Sequence, residues 1–238
     1  MSSRRVRAVL RKELREYRRS GNIVAAMVVF PLIFLIQPLV VVFVLPASAA
    51  AGLSHEHLLL YMLGIPAIVP AAVAAYAVVG ERQQGTLEPV LTTPVRREEL
   101  LLGKALAALV PSVAVAYAVY AFFLACVGLF ARPGVAAALL RGPELLAQVV
   151  FTPLLAGWSI WVGIWISARS NDVRVAQQLG MLASLPSVLV TSLIAFDVIH
   201  ATLGLALGLA AVLLLLQGLG WRITSASFDR ERLITGAA

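Results

Sequence analysis

The chain has 238 residues, of which 61% are apolar and 13% are charged, and its formal net charge is +7. An ordinary soluble domain has about 45–50% apolar and about 25% charged residues, so the composition excludes that class. A basic balance can indicate a nucleic-acid partner, but these charges flank apolar runs, and a lipid bilayer accounts for them without nucleic acid.

The first 22 residues predict an amphipathic helix that lies in the membrane interface. Between Arg5 and Arg19, arginines fall on one face of the helix and apolar residues on the other. The apolar face holds Val6, Val9, Leu10, Leu14 and Tyr17. Such a helix buries its apolar face among lipid headgroups while its arginines contact anionic phosphates. A plain topology anchor is the alternative, and the two roles are compatible.

Six apolar runs are long enough to cross a membrane. They cover residues 23–45, 58–79, 105–130, 145–167, 177–196 and 201–221. Each has about 20 residues or more, which spans a hydrocarbon core of about 30 Å. None contains Asp, Glu, Lys, Arg or His. The predicted fold class is therefore an all-α integral membrane protein, with one six-helix domain over residues 23–221.

Two details of this domain stay open. Only four residues separate the last two runs, so residues 191–203 could instead refold as a re-entrant hairpin. Small residues recur at spacings of four in the second run (Ala67, Ala71, Ala75) and in the sixth (Gly204, Gly208). This spacing suits close helix packing, either within the chain or between chains.

The basic residues predict the orientation. Residues 1–22, 80–104, 168–176 and 222–238 carry seventeen of the nineteen Lys and Arg residues, and all four segments lie on one side of the spans. The positive-inside rule makes that side cytoplasmic, with both termini inside and 222–238 as a cytoplasmic tail. A cleaved signal peptide is the alternative for the N-terminus, but the 23-residue first run exceeds the usual 7–15.

Residues 80–104, here called the polar insert, separate the second and third spans and have the pattern of a folded element. Gly85 breaks the chain, Thr86 can cap a helix, and Leu87, Val90 and Leu91 follow at helical spacing. Pro94 then ends the helix, because a proline disfavours helical geometry in the residue before it. A short amphipathic helix at a membrane surface favours docking onto another protein.

The polar insert resembles the coupling segment of ABC-2 type transporter permeases. The residues that carry the resemblance are Gly80-Glu81-Arg82-Gln83-Gln84-Gly85-Thr86-Leu87-Glu88, then Thr93-Pro94, Glu99-Leu100 and Leu102-Gly103-Lys104. The resemblance implies a permease subunit in a prokaryotic inner membrane, energised by a separate ABC ATPase. It also implies pairing with a second copy or a sister permease, and export as the usual direction. The residues that it implies for ATPase coupling are Glu81, Gly85, Thr86, Leu87, Glu88, Val90 and Leu91.

Missing motifs agree with a chain that is not itself an enzyme. No Gly-x-x-x-x-Gly-Lys-Ser/Thr sequence is present, so ATP and Mg²⁺ are expected on the partner ATPase and no cofactor on this chain. The apolar runs hold no carboxylate or histidine for an ion relay. Cys126, the single cysteine, implies neither a disulfide nor a metal site.

The cargo is expected to be hydrophobic or amphipathic, such as a drug, an antibiotic or a lipid, because the polar groups within the spans are few and neutral. Gln37, Trp158, Trp161, Ser184, Ser187 and Thr191 are the candidate substrate-path residues. For Trp158 and Trp161, plain helix or lipid packing is the alternative.

Two alternative functions remain. One is a non-transporting membrane anchor for an ATPase complex. The other is a rhomboid-like serine protease, for which Ser159 and His200 would form the dyad. Ser159 lies about 21 Å along a span that begins outside, while His200 lies at the outer edge, so the sequence disfavours a dyad.

The charge asymmetry predicts the outcome of cysteine labelling. Cysteines introduced at Ser54 and Gly134 should react with an impermeant thiol reagent applied from outside the cell, and one at Thr92 should not. The reverse pattern of labelling would contradict the six-span topology with both termini inside.

Overall fold

A computed structural model describes residues 2–44, 57–85 and 95–227. Helices account for most of these ranges, which contain no strand. In chain order the helices are α1 Ser3–Arg19, α2 Gly21–Val44, α3 Leu58–Tyr61, α4 Gly64–Ala74, α5 Val79–Gln83, α6 Arg97–Phe130, α7 Pro133–Leu139, α8 Gly142–Arg169, α9 Val173–Ala195 and α10 Leu203–Ser227.

Six helical stretches are long and apolar enough to cross a membrane, which confirms the predicted all-α six-span fold. They are Gly21–Val44, Leu59–Gln83, Arg97–Phe130, Gly142–Arg169, Val173–Ala195 and Leu203–Ala226. The second stretch combines α3, α4 and α5. The basic segments join the helices at one end of the bundle, called the insert end here, and the remaining connections lie at the opposite end.

The second span is the centre of the bundle. Of its most apolar window 94% is buried, against 50% or less for every other span. The first, third, fourth and fifth spans pack against it, and the sixth packs mainly on the fourth. The outward faces of these spans present exposed valine, leucine and isoleucine side chains. A membrane solvates such faces, whereas a soluble protein rarely exposes them over so wide an area.

Small residues bring the neighbouring spans close to this centre. Ala67, Ala71 and Ala75 are fully buried. A Cβ on Gly163 of α8 would lie 2.9 Å from the Ala71 carbonyl oxygen, and one on Gly180 of α9 would lie 3.5 Å from the same atom. The small residues of the second run therefore serve packing within the chain. Within the described ranges, Gly204 and Gly208 have no atom within 4 Å of an added Cβ.

The second span is not one continuous helix. Residues 75–78 form turns between α4 and α5. Three of these four residues are buried, and Tyr76 is half-buried. The Ser167 hydroxyl accepts hydrogen bonds from the Val78 and Val79 amides, both at 3.1 Å, and donates to the Ala75 carbonyl at 2.6 Å. Non-helical backbone at membrane depth needs such partners, because no water replaces them.

Each of the six spans is longer than its predicted apolar run. The extensions of α6, α8 and α9 contain or adjoin charged residues that have partners. α6 begins at Arg97 rather than 105, and the Glu99 carboxylate accepts the Arg96 amide at 3.2 Å. α8 begins at Gly142 and so includes Glu144. α9 begins at Val173, where the Asp172 carboxylate caps the helix by accepting the Arg174 amide at 2.7 Å. The apolar runs contain no charged residue, whereas the helices that include them do.

The last spans also differ in detail from the sequence expectation. α9 continues to Ala195 and α10 begins at Leu203, so residues 191–203 form one helix end and a connection, without a re-entrant helix. α10 runs to Ser227 and includes the start of the predicted tail. Residues 228–238 lie outside the described ranges.

The contact at Gly163 gives a stability prediction. Gly163→Ala should lower the free energy of unfolding by about 1–3 kcal/mol, because the added methyl meets the backbone of Ala71. Gly218→Ala in α10 is the matched control, since no described atom lies within 4 Å of its added Cβ. Unfolding by sodium dodecyl sulfate from mild micelles measures both changes. Equal stability of the two variants would contradict the close packing of α8 on the second span.

Candidate functional site around the polar insert

Both stems of the polar insert belong to the described part of the chain. The first stem, 80–85, continues α5, and the second, 95–104, leads into α6. Gly85 has φ +69°, a backbone conformation that favours glycine, and agrees with the predicted break. Thr86, Leu87, Glu88, Val90 and Leu91, with their predicted helix, lie outside the described residues.

A buried lysine joins the two stems. The Lys104 ammonium is fully buried and lies 2.7 Å from a carboxylate oxygen of Glu81 and 2.9 Å from one of Glu13. Lys12 also contacts both carboxylates. These four residues, Lys12, Glu13, Glu81 and Lys104, are called the lysine–glutamate cluster. It connects the first stem, the second stem and α1.

Electrostatics explains why the cluster has this composition. A buried ammonium loses its hydration, and only close carboxylates with good geometry offset that cost. Two adjacent carboxylates would repel each other, and Lys12 supplies the second cation that separates their charges. Burial lowers the pKa of Lys12, but Glu13, Glu81 and Glu16 outweigh this effect, so its pKa is raised and it stays protonated at neutral pH.

Another carboxylate, that of Glu99, links the start of α1 to the start of α6. Glu99 is almost fully buried and accepts the Ser2 amide at 2.6 Å and an Arg5 guanidinium nitrogen at 3.4 Å. Close approach of the two helices is possible because Gly103 has no side chain. A Cβ there would lie 2.6 Å from a methyl carbon of Val9. The apolar face of α1 thus packs on α6. The sequence instead predicts that this face lies among lipid headgroups.

Arg82 binds the first stem to the end of α8. Its guanidinium donates to the carbonyl oxygens of Ala168 and Ser170, each at 3.2 Å, and the Gln83 amide donates to the Asn171 carbonyl at 3.3 Å. The last carbonyls of a helix have no partner within it, and the helix dipole is negative at that end. A cation there therefore supplies hydrogen bonds and a favourable charge interaction. The Arg82 guanidinium therefore binds protein carbonyls at the membrane surface rather than standing free for lipid headgroups.

The two glutamates of the cluster, together with the neighbouring Glu16, have the spacing of a metal site, but lysine ammonium groups already lie beside them. Carboxylate oxygens of Glu13, Glu16 and Glu81 lie within 4.8 Å of one another. The Lys12 ammonium lies 3.2 Å from Glu16, and Lys104 lies against the other two carboxylates. Lysines therefore neutralise the oxygens that a metal ion would use.

The candidate substrate-path residues are distributed over several helices and mostly hold structural partners. The Trp161 indole donates to the Gln217 side chain at 3.1 Å, and Trp158 packs in an apolar cluster with Leu155 and Leu213. Ser184 and Thr191 donate to carbonyls of their own helix. Within the described part, the bond from the Thr191 hydroxyl to the Ser187 carbonyl is the one side-chain hydrogen bond that joins any two of the six. Gln37 has a buried side-chain oxygen without a described partner.

The geometry does not support the protease alternative. The Ser159 hydroxyl is buried and donates to the Ala67 carbonyl at 2.6 Å. The His200 ring lies 3.0 Å from Asp197 on an exposed connection, where this hydrogen bond raises the pKa of the imidazole. A serine–histidine dyad requires direct hydrogen-bond contact between the two side chains. Each of them is instead bound to another residue.

The family model for an ABC-2 family transporter protein matches residues 7–224. The match includes most of α1, the first five spans, nearly all of the sixth and both stems of the polar insert. The chain belongs to the ABC-2 transporter family. It is therefore a transmembrane subunit of an ABC transporter and a multi-pass membrane protein, and membership implies association with an ABC ATPase. No curated protein matches the chain significantly.

Sequence reasoning did not single out Glu13, although its position on the apolar face of α1 was a signal. Glu13 follows Val9 by four residues and precedes Tyr17 by four, so it lies on the apolar face of α1. A carboxylate on such a face predicts a buried cation. The identity of that cation, Lys104, depends on a tertiary contact across 91 positions and could not be read from local spacing.

The cluster predicts a strong effect of removing its central cation. Lys104→Met should lower the free energy of unfolding by about 3–5 kcal/mol, because two buried carboxylates then lack their ammonium. Glu98→Gln removes a charge from an exposed position of the same helix and should change stability by less than about 1 kcal/mol. Unfolding by sodium dodecyl sulfate compares the two. A Lys104→Met protein as stable as Glu98→Gln would show that the cluster does not hold α1 in place.

Proposed function

We propose that the chain is the permease half of an ATP-driven exporter whose separate ATPase subunit docks on the polar insert. A second copy or a sister permease completes the pathway, and the insert end faces the cytoplasm. The cargo is hydrophobic or amphipathic. The seventeen basic residues in the segments of that end support the orientation.

One observation carries the proposal: both stems of the polar insert are bound to other parts of the bundle. Glu81 and Lys104 connect the stems to each other and to Glu13 of α1. Arg82 connects the first stem to the end of α8. A displacement of the insert by an ATPase would therefore reach α1, the second and third spans and the end of the fourth together.

Roles within the insert follow from this arrangement. Glu81 is 4% exposed and held by lysines, so it acts as an internal link rather than as a docking group. Leu87, Val90 and Leu91 remain the proposed apolar contact with the ATPase, Glu88 adds a charge-assisted hydrogen bond, and Gly85 and Thr86 set the start of their helix.

The docking surface can be tested by a double substitution. Leu87→Asp with Leu91→Asp should release the ATPase, because burying each leucine contributes about 1.5–3 kcal/mol, and losing both weakens binding more than about a hundredfold. The measurement is co-purification of the ATPase with the tagged chain, followed by ATP hydrolysis in vesicles. Arg96→Ala with Arg97→Ala is the control, since both arginines are exposed on the second stem.

Normal ATPase binding by the Leu87/Leu91 variant would mean that the insert is only a connector. If the wild-type complex forms but vesicle transport never accompanies hydrolysis, the chain is a membrane anchor instead of a permease. Loss of binding in the double variant, with binding kept in the arginine control, is the result that the proposal expects.

A further inference from the structure

A stripe of buried polar side chains lies where α6 and α8 pack against the second span, away from the polar insert. Glu144, Gln148 and Thr152 of α8 are spaced by four residues and share one face of that helix. Ser112 and Tyr120 of α6 face the same region. The exposed fractions of the five residues are between 0% and 6%. These five residues are called the polar stripe.

One hydrogen bond sets the register of the two helices. The Tyr117 hydroxyl of α6 donates to the Val149 carbonyl of α8 at 2.8 Å. Because the two helices run in opposite directions, Tyr120 lies level with the turn between Glu144 and Gln148. The electrostatic interaction between Tyr120 and Glu144 agrees with this placement. By the same register Ser112 lies near the level of Thr152.

Every member of the stripe has a polar atom without a partner among the described residues. These atoms are Glu144 Oε2, Gln148 Oε1, Thr152 Oγ1, Ser112 Oγ and Tyr120 OH. Buried polar atoms in native proteins nearly always have a partner, and membrane interiors offer no bulk water to supply one. Five such atoms along one seam therefore indicate an occupant that the chain does not itself provide.

The atoms also indicate the chemistry of that occupant. A carboxylate oxygen and an amide oxygen can only accept hydrogen bonds, and hydroxyl oxygens can accept as well. The other oxygen of Glu144 lies 3.0 Å from His57 and 3.7 Å from Arg141, and the Leu59 amide also interacts with this carboxylate. Oε2 is the carboxylate oxygen without a described hydrogen bond. The three hydroxyls can also donate, so it is the charge of the Glu144 carboxylate that disfavours an anion. The stripe suits a primary ammonium, which has three N–H donors and a positive charge.

We propose that the polar stripe binds the protonated amine of an amphipathic cargo. This inference rests on the proposed permease function and narrows its substrate class. Phe122 and Val149, on the outward sides of the same two helices, are exposed, so the hydrocarbon part of such a molecule can arrive from lipid. The stripe is enclosed here, and binding requires α6 and α8 to separate.

Equilibrium binding of tritiated dodecylamine tests the proposal. The chain is placed in phosphatidylcholine nanodiscs at pH 7, where the amine is protonated. Dodecanol lacks the charge, and dodecyltrimethylammonium lacks the N–H donors, so both should bind at least tenfold more weakly. Glu144→Gln should weaken dodecylamine binding at least tenfold. Glu98→Gln, an exposed charge at the insert end, should leave it unchanged.

A second substitution separates binding from folding. Thr152→Val removes a hydroxyl without a described partner at nearly constant shape, so it should not lower the unfolding temperature of the ligand-free chain. It should still weaken dodecylamine binding severalfold. Absence of saturable binding to wild type, equal binding of amine and alcohol, or unchanged binding in both Glu144→Gln and Thr152→Val would each overturn the proposal.

The assay contains no ATPase, which keeps the two proposals distinct. A chain that couples to its ATPase but binds no dodecylamine refutes only the amine site. A chain that binds dodecylamine through Glu144 but fails to couple refutes only the permease function.

Discussion

Burial of the Lys104 ammonium is the constraint on which the insert end of the molecule depends. A cation with no exposed surface must have carboxylates beside it, and these come from α1 and from the first stem of the insert. Meeting this requirement fixes α1 against α6 and joins the two stems. Neither stem can therefore move without the other and without α1.

The second span has the complementary role at the centre. Its alanines let α8 and α9 approach closely, and its broken backbone is held by the Ser167 hydroxyl of α8. The same helix ends at carbonyls that bind Arg82. The fourth span thereby contacts the centre along its length and the insert at its end, and it carries most of the polar stripe as well.

The fold class follows from the sequence because hydrocarbon thickness and apolar run length are directly comparable. Helix ends do not, because a hydropathy run stops at the first charge while a helix continues wherever that charge has a partner. Glu99, Lys104 and Glu144 are all such cases. The break at Gly85 could be predicted from the sequence, and so could Glu13 from its place on an apolar face. Arg82, Gln217 and the polar stripe depend on contacts between distant segments, for which local periodicity has no signal.

The lysine–glutamate cluster has a consequence for how this sequence can change. Positions 13, 81 and 104 are far apart in the chain but share one enclosed volume with nearly balanced charge. A sign change at any one of them leaves like charges in contact without water, so such a change requires a compensating change at another of the three positions. Drift at the exposed arginines of α1 carries no such condition. We therefore expect the charges at positions 13, 81 and 104 to change together, although these positions are far apart in the sequence.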